Sequence, residues 1–203
     1  MPAGAREALR YLNAGEAMLS EAESMMARVQ AGVRPLFRWK LLPVQELALP
    51  GKTAEKMLAS SSHVCVLIAT LGLSFDAMLR SQQARSMSEA VVMDACGSAL
   101  IESVCDEVEK EIAARFPEKY LTDRFSPGYG DLPLDVQPQL LQLLDAPRTL
   151  GVTVTPSFLL NPSKTVTALI GISDRPQEAR IRGCAYCRMK SNCPYQGGKR
   201  CAL

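Results

Sequence analysis

Six consecutive residues, Arg124-Phe125-Ser126-Pro127-Gly128-Tyr129, place a fixed cation, a Pro-Gly turn and an aromatic ring within reach of one another, in a chain that is only 5% aromatic. Proline presets the first corner of a β-turn and glycine allows the second, so Arg124 and Tyr129 can flank one spot. That arrangement suits a small ligand carrying a carboxylate and a planar base. The guanidinium offers a two-pronged donor to the carboxylate, and the ring offers a face for packing. The same residues also make an ordinary surface turn with an arginine on its shoulder.

A second set of chemistry-bearing residues lies near the C-terminus. Cys184 and Cys187 form a Cys-x2-Cys pair, Cys193 follows after five residues, and Cys201 after seven more. Four thiolates at these intervals can close around a metal or a cluster, because soft sulfur ligands select zinc or iron–sulfur centres. Zinc sites usually combine two closely spaced pairs. Here the second pair is split, which favours a [4Fe–4S] cluster, with zinc as the alternative. The residues between them are small and polar, so bound metal would supply the folding energy of this tail. Arg188, Lys190, Lys199 and Arg200 would offset the thiolate charge or meet an acidic partner, or form a plain solvated basic tail.

The elements that must position these residues follow from apolar spacing. Residues 6–31 read as one or two helices, with Gly15 as a break and Gly32 as a close. Leu36 to Leu42 reads as a strand whose flanking prolines favour an edge. Residues 51–60 read as a short helix, His63 to Ala69 as a buried strand, and residues 74–84 as a helix. From Met87 to Phe116 the chain predicts a long helix, capped by Ser86 with Glu89 three residues on. Cys96, Leu100, Val104, Val108 and Ile112 make its apolar stripe. Asp94, Ser98, Glu102 and Asp106 make a polar row, which is either a solvated face or a source of one acid for a cationic ligand. Cys96 and Cys105 fall on opposite faces and read as buried or half-buried thiols. Pro117 ends the helix. Asp135 to Asp145 reads as a short amphipathic helix, and Val152 to Val154 and Thr165 to Ile172 as strands. The expected fold is α+β, a mostly antiparallel twisted sheet with flanking helices, plus a small cysteine-rich metal-binding tail. The expected division is residues 1–178 and residues 179–203.

Bulk properties exclude several function classes. The chain has 203 residues, 47% hydrophobic and 22% charged, with a net charge of +2. That excess is too small for a phosphate-tracking surface, so no nucleic-acid partner is expected. The longest apolar run, Val64 to Leu73, is about half of a bilayer span, and no membrane partner is expected. The N-terminal residues lack the apolar core of a secretory leader, which predicts a cytoplasmic location and thiols in place of disulfides. No Gly-rich phosphate loop is present. The single histidine, His63, reads as structural.

Four blocks in the same order resemble the activation domain of vitamin B12-dependent methionine synthase, in a free-standing form. They are Val66 to Gly72, the helix Val92 to Val104, the Arg-x-x-x-Gly-Tyr segment at Arg124–Tyr129, and Val152 to Phe158 leading into Val166. The resemblance covers roughly residues 45–175. After Tyr129 the family often runs Pro-x-x-Pro, whereas this chain has Gly130-Asp131-Leu132-Pro133. The resemblance implies a domain that binds S-adenosylmethionine and docks on a cobalamin-carrying partner, supporting reductive methylation of a Co(II) corrinoid. It implies that Arg124 pairs with the ligand's carboxylate, that Pro127 and Gly128 let backbone approach it, and that Tyr129 packs on the ligand or the corrin. Glu102 is the candidate for its ammonium. The corrinoid histidine of such systems sits in Asp-x-His-x-x-Gly, which His63 does not match. The cobalamin is therefore expected on a separate methyltransferase or shortened methionine synthase, with the electron coming from a donor such as flavodoxin or ferredoxin. Two further readings stay open: an iron–sulfur electron-transfer partner of a corrinoid protein, and a metal-stabilised interaction domain.

Overall fold

A computed structural model describes residues 4–176. Its core is a four-stranded sheet built from β1 (Leu36–Pro43), β2 (His63–Thr70), β3 (Tyr120–Leu121) and β6 (Thr165–Ser173), in the order β1-β2-β6-β3. Every neighbour is antiparallel. A two-stranded hairpin, β4 (Thr153–Val154) with β5 (Leu160–Asn161), stands apart from it. The α+β architecture expected from the sequence is the one observed.

The two central strands are runs of β-branched and apolar residues, as expected of strands covered on both faces. Val66 of β2 stands opposite Leu169 of β6 and opposite Lys40 of β1. Alternation sends Val64, Val66, Ile68 and Leu169 to one face, where they pack with Met57 of α3 (Lys52–Leu58) and with Leu140 and Leu141 of α6 (Gln137–Leu143). Cys65, Leu67, Ala168 and Ile170 face the other way, onto Val108 and Ile112 of α5 (Met87–Arg115). Each apolar side chain so covered contributes about 1.5–3 kcal/mol relative to exposure.

The 29-residue α5 is the spine of the molecule. Ser86 caps it, its hydroxyl accepting the Glu89 amide at 3.4 Å. Its far side packs against α1 (Ala5–Tyr11), α2 (Leu19–Gly32) and α4 (Leu73–Gln83), through Met25, Met26, Val29, Phe75, Met93 and Leu100 among others. A helix covered on two opposite sides is apolar nearly all round. That is why Cys96 and Cys105, half a turn out of phase, are both buried and free. Two strips of α5 escape this cover: one carries Glu107 and Lys110, and the polar row lies on the other. A short helix α7 (Ala146–Leu150), which the sequence reading did not separate, follows α6.

Candidate functional site

Strand alternation decides where Arg124 goes. Beyond β3 the chain stays beside β6: the Thr122 amide donates to the Gly171 carbonyl at 2.9 Å, and Phe125 bridges Leu169 through contacts of 3.1 and 2.8 Å. Phe125 is buried among the α3 and α6 residues, so Arg124 is turned toward α5. Its side chain is only 5% exposed. Nη2 donates to Glu102 Oε2 at 2.7 Å, and Nη1 donates to Asp106 Oδ1 and Glu109 Oε2, each at 3.1 Å. The three acids are spaced by four and three residues and so share one face of the helix. Burial works against the charge on Arg124, yet neighbouring Cys105 and the three carboxylates outweigh it and raise its pKa.

The sequence reading set Arg124 on an exposed turn and Glu102 on a separate helix. The structure joins them as direct partners and buries the guanidinium. The polar row is not simply solvated either: Lys164, 14% exposed, donates to Ser98 at 2.8 Å and pairs with Asp94 at 2.9 Å. Two sequestered cations thus tie the row to the loops that precede β6 and follow β3.

The residues after Arg124 form a strap across the edge of the sheet. Pro127 is buried while Gly128 and Tyr129 are exposed. The Tyr129 amide donates to the Ser126 carbonyl at 3.0 Å, closing a turn with proline second and glycine third. Gly128 has φ +95°, the backbone region that a type II turn demands there. The far end of the strap is pinned by Asp131. Its carboxylate accepts the amides of Lys52 and Thr53, both at 2.8 Å. These are orphan donors at the start of α3, where Gly51 has no side chain to cap them. The Thr53 hydroxyl and these amides hold the Asp131 carboxyl down at about 2. Gly130, at φ +59°, brings the strap so close that a Cβ there would sit 2.2 Å from Thr53 Oγ1. The departure from Pro-x-x-Pro at Gly130-Asp131 therefore builds a cap for a helix about eighty residues earlier in the chain.

Tyr129 projects from this strap with 54% of its surface open. Tyr11, at the end of α1, is exposed to a similar degree. Partial burial, then the carboxylates of Glu102 and Glu7, pushes the Tyr11 phenol up to about 12, with Tyr129 adding in the same direction. Tyr11 thus shares the neighbourhood of Glu102 and Tyr129. Sequence reasoning missed it, as it missed Asp106, Glu109, Asp131 and Lys164 as partners. The one signal available was the row of polar residues at four-residue spacing on α5, Asp94, Ser98, Glu102 and Asp106.

No family pattern matches the chain, and no curated protein matches it. Among solved structures it is similar to the MetH reactivation domain bound to AdoHcy, with a TM-score of 0.61 and 15% identity, over 83% of this chain and 70% of that one. The chain has the MetH reactivation-domain fold. On this fold, Arg124, Glu102 and the Pro127-Gly128-Tyr129 turn converge at the β3 edge of the sheet, beside the strip of α5 that carries the polar row.

The thiols divide differently. Burial pushes Cys65 up to about 12, Cys96 to about 11 and Cys105 to about 12, so none is poised as a nucleophile or ligand. Among the described residues, no cluster of three or more His, Cys, Asp or Glu is arranged for a metal ion. The four-cysteine site expected at Cys184, Cys187, Cys193 and Cys201 lies outside the described residues. His63 contacts Ser62 through Nδ1 at 3.0 Å. Among the described residues no helix is long and apolar enough to cross a membrane.

Proposed function

We propose that this chain binds S-adenosylmethionine at the Arg124–Glu102 pair and presents it to a separate corrinoid protein for reductive methylation. The observation that carries the reading is the 2.7 Å contact between Arg124 and Glu102, with the Pro127-Gly128-Tyr129 turn following Arg124 in the chain. It occurs in a fold shared with a domain solved with AdoHcy. A guanidinium beside a carboxylate is the charge complement of an amino-acid zwitterion. Arg124 would take the ligand's carboxylate, Glu102 its ammonium, and Tyr129 would pack on the ligand or on the partner's corrin. The remaining acids of the α5 strip suit a ligand that also carries a sulfonium cation.

The chemistry served is methyl transfer with one added electron. The partner's Co(II) corrinoid gains an electron from a donor such as flavodoxin or ferredoxin, and it gains the methyl group of S-adenosylmethionine. The sulfur keeps the bonding electron pair and leaves as AdoHcy. This chain contributes orientation, which is a proximity effect. Its one histidine is engaged with Ser62, in keeping with a corrinoid held on another chain.

Reconstitution tests this. A Co(II) corrinoid methyltransferase or shortened methionine synthase is incubated with reductant, S-adenosylmethionine and this chain. Methylcobalamin absorbance and an equal amount of AdoHcy should appear only when the chain is present. The same yield without it would contradict the proposal.

The cysteine spacing favours a second component. Residues 179–203 would hold a [4Fe–4S] cluster, or zinc, as a unit distinct from residues 1–178, and a cluster there would supply the electron. Anaerobic purification should give a brown protein with iron and sulfide. A colourless protein with stoichiometric zinc would leave the methyl-donor role intact and remove the electron-supply role.

A further inference from the structure

The three acids around Arg124 are not equivalent. Nη1 meets two of them, Asp106 and Glu109, at 3.1 Å each, while Nη2 meets Glu102 alone at 2.7 Å. Each terminal guanidinium nitrogen carries two N–H groups. Asp106 and Glu109 therefore use both on Nη1, whereas Glu102 uses one of the two on Nη2. Glu109 is the most shielded of the three at 24% exposure, against 43% for Glu102 and 55% for Asp106.

We infer that Asp106 and Glu109 are positioning residues for Arg124. They anchor its Nη1 side so that the Nη2 edge, shared with Glu102, is the arm offered to the carboxylate of an S-adenosylmethionine amino-acid end. This rests on the ligand assignment proposed above and adds a division of labour to it. A carboxylate arriving at Nη2 takes an N–H that Glu102 does not use, so neither anchor has to be displaced. Glu102 is left beside the ligand's ammonium. The acids around Arg124 outnumber it three to one. That excess repels a bare carboxylate and admits one that arrives with an ammonium and a sulfonium attached. A guanidinium without its anchors keeps its charge but loses its fixed edge, and the cost of ordering it falls on the ligand.

The test compares two ligands on the intact chain by calorimetry: S-adenosylmethionine, and 5′-methylthioadenosine, which lacks the amino-acid end. In the double variant Asp106→Asn/Glu109→Gln, binding of S-adenosylmethionine should weaken roughly tenfold. Binding of 5′-methylthioadenosine should stay within about twofold, because its contacts do not involve Arg124. Equal losses for both ligands would mean that the acids only support the fold, and no loss for either would mean that they do not position Arg124. Each of these results overturns the inference while leaving the ligand assignment standing. Wild-type chain that fails to bind S-adenosylmethionine defeats the assignment and the inference together. Glu109→Gln alone, which keeps the shape and the acceptor oxygen, should show the same selective loss to a smaller degree, and serves if the double variant does not fold.

Discussion

Replacing Arg124 by methionine removes the cation and keeps most of the buried stem. The cost can be worked from the contacts. Glu109 is the best shielded partner, and a hydrogen bond to a charged group in such a setting contributes about 1.5 kcal/mol at the lower end of its range. Glu102 and Asp106 are about half exposed, so solvent screening limits each to about 0.5–1 kcal/mol. The variant also leaves three acids facing one another on a single helix face, which destabilises in the same direction. The total is about 3 kcal/mol. For a chain of 203 residues, each kcal/mol moves the thermal midpoint by about 2–4 °C, so Tm should fall by about 6–12 °C. Circular dichroism melts at matched pH and salt measure this. Repeating the substitution in a Glu109→Gln background should cost at least about 1 kcal/mol less, because the two sites share a contact. A fall of less than about 3 °C, or strict additivity of the two substitutions, would contradict the role of Arg124 as a buried structural node.

Other expected outcomes concern the strap and the thiols. Gly130→Ala should cost about 2 kcal/mol, since it combines a positive φ with a Cβ driven into Thr53; an unchanged Tm would show that the strap can shift away. Asp131 has its folded pKa depressed from 3.8 to about 2. Its stabilisation is therefore present above about pH 4 and is lost as the pH falls toward 2. Tm measured between pH 5 and pH 2 should fall less steeply in Asp131→Asn than in the wild type, and parallel slopes would contradict the cap. Of the seven cysteines, Cys65, Cys96 and Cys105 should resist a thiol reagent such as dithionitrobenzoate in the native protein at pH 8 and react once it is unfolded. Rapid native modification of any of the three, identified by mass spectrometry, would contradict their burial.

Much of this architecture was legible in the residues. The β-branched runs around Val66 and Leu169 announce central strands, and Ser86 with Glu89 announces the start of α5. The Met25-Met26-Val29 spacing announces a helix packed on something apolar. What was not legible depends on contacts between distant segments. β3 is two residues long and exists only because β6 offers an edge. Asp131 is an ordinary loop aspartate until the fold brings the uncapped start of α3 to it. Arg124 and Glu102 could each be assigned to a ligand by type, but their pairing across 22 residues of sequence depends on Phe125 choosing the opposite face. Tyr11 carries no sequence signal at all, being the last residue of a short helix that happens to end beside Glu102 and Tyr129. The candidate site was therefore readable as a list of residue types and not as a geometry.

The most direct measurement is calorimetric titration of the wild-type chain with S-adenosylmethionine and with AdoHcy. One site per chain is expected for each ligand, with mutual competition and with loss of S-adenosylmethionine binding in Arg124→Ala that retains a cooperative melt. Absence of binding by the wild type, or affinity unchanged in a folded Arg124→Ala variant, would contradict a ligand site at Arg124.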